Sequence, residues 1–188
     1  DLSVFQPIIG SWYEALKNPQ ESQRRVLLDL VKQYEKTGYG QSHRASEVKD
    51  ITDFRANFPI IDYRGLNPYL AKVQKGDYSV ILPEPIRCWV MTRGSTGPAK
   101  VLPATRTHLK QIFTCGARAL INHVLRKGDF ELLTGKILNL NFPSTVHTIA
   151  IGGETVAYGY SSGTYAKLNP TFDKVSLLPR QEQIDTLG

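Results

Sequence analysis

An α/β fold, with a mixed sheet flanked by helices, is predicted by three features of this 188-residue chain. Two long stretches, 19–36 and 107–127, place apolar residues at helical spacing. Short apolar stretches at 87–91 and 136–142 have the length and composition of strands. Gly152-Gly153 joins two further alternating runs, which is typical of a hairpin. Helices interleaved with strands favour a layered architecture, and we expect both long helices to pack on those strands.

The first long helix has a clear start. Asn18 can cap it, and Pro19 suits the first turn because proline has no amide hydrogen to leave unpaired there. Gly38 is expected to end the helix by adopting the left-handed conformation. The apolar face is predicted to comprise Val26, Leu27, Leu30, Val31 and Tyr34.

Shorter elements complete the first part of the chain. Helices are predicted to begin near Thr52 and to cover residues 68–75, which makes residues 1–78 mostly helical. Residues 79–82 have strand character and open a part rich in strands, residues 79–168.

The second long helix follows a short strand at Val101-Leu102. Thr107 can cap this helix, and Gly128 can end it. Its apolar face is predicted to comprise Leu109, Ile112, Phe113, Gly116, Ala117, Leu120, Ile121 and Val124.

The segment after this helix alternates. Leu138, Leu140 and Phe142 fall on one side of a predicted strand, and Asn139 and Asn141 fall on the other. The tail, residues 169–188, is polar and interrupted by prolines, so it is predicted to be irregular.

Composition and charge limit the classes of function. No segment approaches the ~20 apolar residues of a membrane helix, so no membrane partner is expected. The net charge of +6 suits a polyanionic ligand, but the basic residues are scattered, and no nucleic-acid partner is expected. Cys88 and Cys115 lie in apolar patterns, which predicts reduced thiols in or near the core and a cytoplasmic location. The four histidines share no metal-ligand spacing, so no metal site is predicted.

Residues 92–100 carry the main functional signal, in the order Thr-Arg-Gly-Ser-Thr-Gly-Pro-Ala-Lys. Glycines let backbone amides approach an anion, and the hydroxyls of Thr92, Ser95 and Thr96 add donors. Lys100 supplies a mobile charge that can follow a phosphate. The spacing of the glycines matches neither the Walker motif nor the dinucleotide motif. A surface turn with a solvated lysine is the alternative interpretation.

The order of these residues resembles the phosphate loop of the adenylate-forming superfamily. Arg93 and Ala99 are the departures, since relatives place a small hydroxyl residue and a proline there. Within residues 18–82, the chain is similar to the auxin-responsive acyl-acid amido synthetases. The elements that carry this similarity appear in order: a helix with Gln23, Val26 and Leu27, then Thr37-x-Tyr39-Gly40, Asp53-Phe54-Arg55, Pro59, Tyr63, Pro68-Tyr69 and Gly76. The resemblance covers about residues 12–165.

The resemblance implies a function and a set of site residues. Members of the family activate a carboxylic acid with ATP and Mg²⁺ and join it to an amine, usually an amino acid. By this resemblance the phosphate-binding residues are Thr92, Gly94, Ser95, Thr96, Gly97 and Lys100, with Lys100 also catalytic. Two alternatives stay open: an acyl-CoA ligase-like adenylate-forming enzyme, and a folded module that binds without catalysis.

The resemblance also implies that residues 1–188 are one N-terminal fragment of a larger adenylate-forming domain. The adenine, ribose and C-terminal lysine motifs of the family have no match here, so the chain alone is expected to be inactive. Exposed apolar surface on such a fragment predicts self-association. Residues 160–167 imitate the phosphate loop in composition and are interpreted as a turn, in which Ser161, Ser162 and Gly163 are candidates for a substrate pocket.

Arg93 has two alternative placements. Pointing into the loop, its planar fork could pair with phosphate oxygens. Pointing outward, it would be a solvated side chain, and this placement is favoured because a bulky group would crowd a nest lined by glycine.

Overall fold

The computed structural model describes residues 2–94, 97–169 and 177–187. It is a mixed α/β structure in which helices accompany a four-stranded sheet, so the predicted fold class is confirmed. The chain divides into two compact units, one within Asp1–Pro85 together with Ile151–Gly153 and the other within Ile86–Ala150 and Glu154–Gly188. Whether the whole forms one fragment of a larger domain stays a prediction.

The first unit is helical. Its helices are α1 (Gln6–Lys17), α2 (Pro19–Tyr34), α3 (Gly38–Ser42), α4 (Ile51–Asn57) and α5 (Tyr63–Gln74). Short 3₁₀ turns lie at Leu2–Phe5, Ala45–Glu47 and Tyr78–Val80. The last of these occupies the segment predicted as a strand at 79–82, so that prediction is wrong.

Side-chain caps fix where these helices start. The carboxamide oxygen of Asn18 accepts a hydrogen bond from the Glu21 amide at 3.2 Å, which confirms the predicted start of α2. Asp62 accepts from the Gly65 amide at 2.9 Å and starts α5 well before Pro68, which lies inside the helix. This cap sets a start earlier than the predicted one at residue 68.

Gly38 does not end α2 in a left-handed conformation, because it is the first residue of α3. Thr37 makes the corner instead: its hydroxyl donates to the Tyr34 carbonyl at 2.7 Å and accepts from the Gly40 amide at 3.0 Å. Gly40 is the position that requires glycine, since a Cβ there would overlap the Tyr34 carbonyl.

The buried face of α2 is narrower than predicted. Val31 is buried, and Leu27 and Tyr34 are half-buried, but Val26 and Leu30 are exposed. Helix α2 packs against α1 and α3 of its own unit. Elsewhere in this unit Ile9, Leu70 and Val73 are buried. A group of half-buried rings also lies together: Tyr39, His43, Phe54, Phe58 and Tyr69.

The second unit contains the sheet. Its elements are β1 (Ile86–Met91), β2 (Val101–Thr105), α6 (Arg106–Lys127), β3 (Ile137–Leu138), β4 (His147–Ile151, whose last residue belongs to the first unit), β5 (Glu154–Tyr160), α7 (Ser161–Leu168), β6 (Leu177–Leu178) and α8 (Gln181–Asp185). Four strands form one sheet in the order β2-β1-β5-β4. Strand β1 runs antiparallel to β2 and parallel to β5. Gly152 and Gly153 both have positive φ, 56° and 92°, which confirms the predicted hairpin turn.

Helix α6 ends at Gly128 in the left-handed conformation, as predicted, and packs against β2. Its cap is Thr105 rather than Thr107, since the Thr105 hydroxyl accepts from the His108 amide at 3.2 Å. Leu109, Ile121 and Val124 are buried. The predicted face was too wide, because Ile112, Gly116 and Leu120 are exposed.

The alternating segment has the opposite orientation from the one that its apolar pattern suggests. Asn139 is 5% exposed, whereas Leu138 and Leu140 are 70% and 75% exposed. The Asn139 carboxamide accepts from the Asn141 amide at 3.0 Å and donates to Gln181 at 3.4 Å, which compensates its burial. Only Ile137–Leu138 is a strand, paired in parallel with β6.

Two elements lie in the tail that was predicted to be irregular, β6 and α8, so that prediction is wrong where the tail is described. Residues 170–176 and 188 lie outside the described residues. Within the described part, no helix is both long and apolar enough to cross a membrane. Cys88 is half-buried, and burial raises the pKa of its thiol, but Cys115 is exposed and not near the core.

Candidate functional site

The candidate phosphate loop, residues 92–100, connects the antiparallel strands β1 and β2. Its two ends are joined by hydrogen bonds: the Thr92 amide donates to the Lys100 carbonyl, and the Lys100 amide donates to the Thr92 hydroxyl, both at 3.0 Å. The buried end of β1, Trp89 to Met91, anchors the first of these ends in the sheet. The hydrogen bonds between Thr92 and Lys100 therefore close the loop where it leaves and rejoins the sheet.

Gly94 is the residue that gives the loop its shape. Its φ is 68°, and a Cβ there would lie 2.5 Å from the Gly97 carbonyl oxygen and 2.8 Å from the Ala99 nitrogen. The Gly97 amide donates to the Gly94 carbonyl at 3.2 Å. Around Gly97 the space is open, with no atom within 4 Å of an added Cβ. The turn thus brings backbone groups together where no side chain fits.

The other predicted phosphate-binding residues are placed as follows. Lys100 is exposed at the second end of the loop, and Gly97 to Ala99 are exposed as well. Ser95 and Thr96 lie outside the described residues. Assignment of these residues to phosphate binding stays a prediction.

Arg93 lies over an aromatic ring. Its guanidinium carbon is 3.9 Å from the centroid of the Phe142 ring, a cation–π distance. The side chain is nevertheless exposed. It therefore rests on a ring rather than extending freely into solvent, and its placement into or out of the loop stays a prediction.

The segment that carries Phe142 is fixed by α7 and α8. The Phe142 amide donates to the Ser162 hydroxyl at 3.1 Å, and its carbonyl accepts from the Gln181 carboxamide at 3.0 Å. The amide and hydroxyl of Ser144 donate to the two carboxylate oxygens of Asp185 at 2.7 Å and 2.5 Å. Two residues of α8, Gln181 and Asp185, therefore bind both backbone groups and a side-chain hydroxyl of this segment.

Asp185 is the charged centre of this network. Burial alone would raise the pKa of its carboxyl group. The hydrogen bonds from Ser144 and Gln181 and the charge of Lys167 outweigh burial and hold the pKa below its ordinary value. Asp185 is therefore a carboxylate at neutral pH.

The segment that imitates the loop, residues 160–167, is not a turn. It forms the end of β5 and most of α7, so the interpretation as a turn is wrong. Gly163 is buried, and a Cβ there would overlap the Phe142 carbonyl oxygen. Ser161 and Ser162 are half-buried. Their assignment with Gly163 to a substrate pocket stays a prediction.

A shallow groove of about 310 Å³ runs along α6, and the sequence analysis did not identify it. It is lined by Thr107, Lys110, Gln111, Thr114, Cys115 and Arg118. The recurrence of polar residues at helical spacing opposite the apolar face was the signal that could have revealed it. Two of these side chains, Lys110 and Arg118, are cationic.

His108 and Tyr165 share a hydrogen bond of 3.0 Å between the imidazole Nε2 and the phenol oxygen. Burial, together with Cys88, raises the pKa of Tyr165 to about 12. In the described ranges, no group of three or more His, Cys, Asp or Glu side chains could hold a metal ion.

The fold is that of the N-terminal part of acyl acid amido synthetases. A structure of "AtGH3.15 acyl acid amido synthetase in complex with 2,4-DB" matches with a TM-score of 0.75 and 20% identity, over 94% of this chain and 30% of that one. A second, "GH3.15 acyl acid amido synthetase", matches with a TM-score of 0.58 and 20% identity, over 78% of this chain and 25% of that one.

The model of the GH3 family N-terminal domain matches residues 8–183, so the chain belongs to this family. It is also 29% identical over 98 residues to an indole-3-acetic acid-amido synthetase, GH3.2, from Arabidopsis thaliana. That similarity covers 51% of this chain and 18% of the relative. The chain spans less than a third of the length of the relatives it matches. The resemblance found in the sequence is confirmed.

Proposed function

We propose that residues 92–100 bind the phosphates of ATP in an enzyme that activates a carboxylic acid and joins it to an amine or amino acid. The observation that carries this proposal is the geometry of Gly94. Its positive φ and the backbone atoms that occupy the place of a Cβ require glycine at this position, and glycine is the residue type that lets a loop bring backbone amides close to an anion. Lys100 adds a positive charge where the same loop rejoins the sheet.

The chemistry takes two steps. A carboxylate oxygen of the acid attacks the α-phosphorus of ATP, the bond between the α- and β-phosphates breaks, and pyrophosphate leaves. The nitrogen of the amine then attacks the acyl carbon, loses a proton to solvent and displaces AMP. Lys100 and the loop amides would stabilise the negative charge that develops on the departing pyrophosphate. Electrostatic stabilisation of this kind is usually the largest single contribution of a protein to lowering the barrier of such a reaction.

The groove along α6 is our candidate for the acid. Lys110 and Arg118 line it, and cationic side chains of this kind form charge-assisted hydrogen bonds with carboxylates. Mg²⁺, which the family resemblance implies, would be held chiefly by phosphate oxygens and water. We place the reaction in the cytoplasm, since Cys88 and Cys115 are unpaired thiols.

The test is acid-dependent exchange of pyrophosphate into ATP by the full polypeptide that carries this chain. Lys100→Ala should lower the exchange rate by roughly 30- to 1000-fold, because a lost charged contact to developing charge costs about 2–4 kcal/mol. The matched control is Lys136→Ala, which removes an exposed lysine outside the loop and should leave the rate unchanged.

Equal rates for Lys100→Ala and the wild type would remove Lys100 from the mechanism. Formation of a thioester with coenzyme A, without amide formation, would favour the acyl-CoA ligase alternative. Residues 1–188 alone are expected to show no exchange, and turnover by them would contradict the expectation of a fragment.

A further inference from the structure

We propose that Arg93 is a second cationic ligand for the polyphosphate of the loop, and that α8 positions it through the Phe142 ring. The inference rests on the proposed function, because it names a further ligand at the same site. Three observations support it: the state of the Arg93 side chain, its origin at the end of the loop opposite Lys100, and the way in which Phe142 is held.

The Arg93 side chain is available to an anion. It is exposed, and within the described part of the chain no carboxylate lies within ion-pair distance of it. Its guanidinium carbon lies over the Phe142 ring, and this contact uses none of the N–H donors. A stacked guanidinium can therefore still form charge-assisted hydrogen bonds with phosphate oxygens, and the ring restricts where those donors lie.

Arg93 and Lys100 lie at opposite ends of the same loop. Arg93 directly follows Thr92, whose amide is hydrogen-bonded to the carbonyl of Lys100. The two cationic residues therefore start from the two joined ends of one loop, with Gly94 between them in the sequence. A single univalent anion needs one such charge, whereas a polyphosphate, which carries several, can use both.

The Phe142 ring lies 5.1 Å from the Tyr160 ring between centroids, and the Phe142 backbone is held by groups that belong to other elements. Its backbone carbonyl accepts from Gln181, and the neighbouring Ser144 is bound through amide and hydroxyl by Asp185. Gly163 packs directly against the Phe142 carbonyl, which leaves no room for that backbone to shift towards α7. Loss of either α8 contact should therefore displace the ring and, with it, the Arg93 charge.

The experiment measures binding of inorganic tripolyphosphate and, separately, of ATP by calorimetry, using the wild type and single and double variants. Arg93→Ala should weaken tripolyphosphate binding by about tenfold or more at low salt, with a smaller dependence on salt concentration. Arg126→Ala is the matched control, an exposed arginine at the end of α6, and should change affinity by less than about twofold.

The positioning role has its own readouts. Asp185→Asn should weaken binding by about threefold in the wild type and not at all when Arg93 is already alanine, since coupled residues are not additive. The Arg93 side-chain NMR resonances should also lose their ring-current shift in Asp185→Asn. If that variant fails to fold, Gln181→Ala, which removes the bond to the Phe142 carbonyl together with those to Asn139 and Asp185, takes its place.

The outcomes separate the two proposals. A wild type that binds neither ligand overturns the proposed function. A wild type that binds tripolyphosphate, with Arg93→Ala binding equally well, overturns the present inference and leaves the function standing. An Asp185→Asn effect that is the same with and without Arg93 overturns the positioning by α8.

Discussion

Two segments of nearly the same composition have different structures in this protein. Residues 92–100 and residues 160–167 each follow a strand, contain hydroxyl residues and glycine, and end in lysine. The first is a closed loop with a glycine at positive φ, and the second enters a helix. The difference shows that spacing and partners, rather than composition, determine whether such a segment exposes its backbone.

The spacing of glycine and lysine explains part of this difference. The first segment has a second glycine followed by Pro98, and proline disfavours helix in the residue before it. The second segment has neither, so Ser161 can continue directly into α7. The partners explain the rest: Gly163, Thr164 and Ala166 are buried, while Gly97 to Lys100 are exposed. One glycine shapes a loop, and the other permits close packing.

The largest effect that would test this contrast is on stability. Gly163→Ala should destabilise the protein by about 3 kcal/mol or more, because its Cβ would overlap the Phe142 carbonyl and lie within 3 Å of Gln181 and Ser144 atoms. Gly97→Ala should cost less than about 0.5 kcal/mol, since nothing surrounds its Cβ. Urea unfolding measures both. Similar values for the two variants would contradict the distinction between a packing glycine and an open one.

A smaller effect is expected where the second segment is tied to α8. Asp185→Asn should lose about 2 kcal/mol at pH 7, since hydrogen bonds to a charged group are stronger than neutral ones. The folded-state pKa of Asp185 is lowered, so its contribution is present above the unfolded-state value and disappears as pH falls through the folded-state value.

The pH series therefore supplies the control for this prediction. The difference in unfolding free energy between wild type and Asp185→Asn should be constant from pH 7 to about 5 and then shrink below that. A difference that grew as pH fell would mean that the pKa of Asp185 is raised, against the hydrogen bonds described here.

The smallest effect concerns the lysine that ends the second segment. Lys167 is 56% exposed and lies 3.4 Å from Asp185, which is 16% exposed. Lys167→Ala should change unfolding free energy by less than about 1 kcal/mol, as for other solvent-exposed ion pairs, and the change should diminish in high salt. A loss as large as that of Asp185→Asn would show that the ammonium, and not the Ser144 hydrogen bonds, dominates the network.

Local signals in the sequence were sufficient for several elements of the fold. Asn18 and Pro19 marked the start of α2, Gly128 marked the end of α6, and Gly152-Gly153 marked the hairpin. Each of these residues acts on its own neighbours in the chain. Helix α1 has only Pro7 in its first turn as such a signal, because Phe5 precedes it without a side-chain cap.

Long-range partners account for the wrong predictions. The leucines at 138 and 140 appeared to be the buried side of a strand, but Gln181 lies in the tail and binds the asparagine between them. The order of the residues from Thr92 to Lys100 was enough to identify the candidate phosphate loop. The contact of Arg93 with Phe142, and that of Asp185 with Ser144, join distant parts of the chain, so no local pattern predicts them.

The mixed sheet has a consequence for how the protein folds. β1 meets β2 across one short loop, and β4 meets β5 across a two-residue turn, so both pairings close locally. The parallel pairing of β1 with β5 joins residues 90–91 to 159–160 and must wait for a far longer closure. We expect two hairpins to form early and to dock late, and pulse-labelled hydrogen exchange should show protection appearing last at the central pair. Before the two hairpins dock, the edge of β1 that pairs with β5 in the folded sheet has no partner strand. Docking of the hairpins is therefore the step before which a newly made chain is most prone to aggregate.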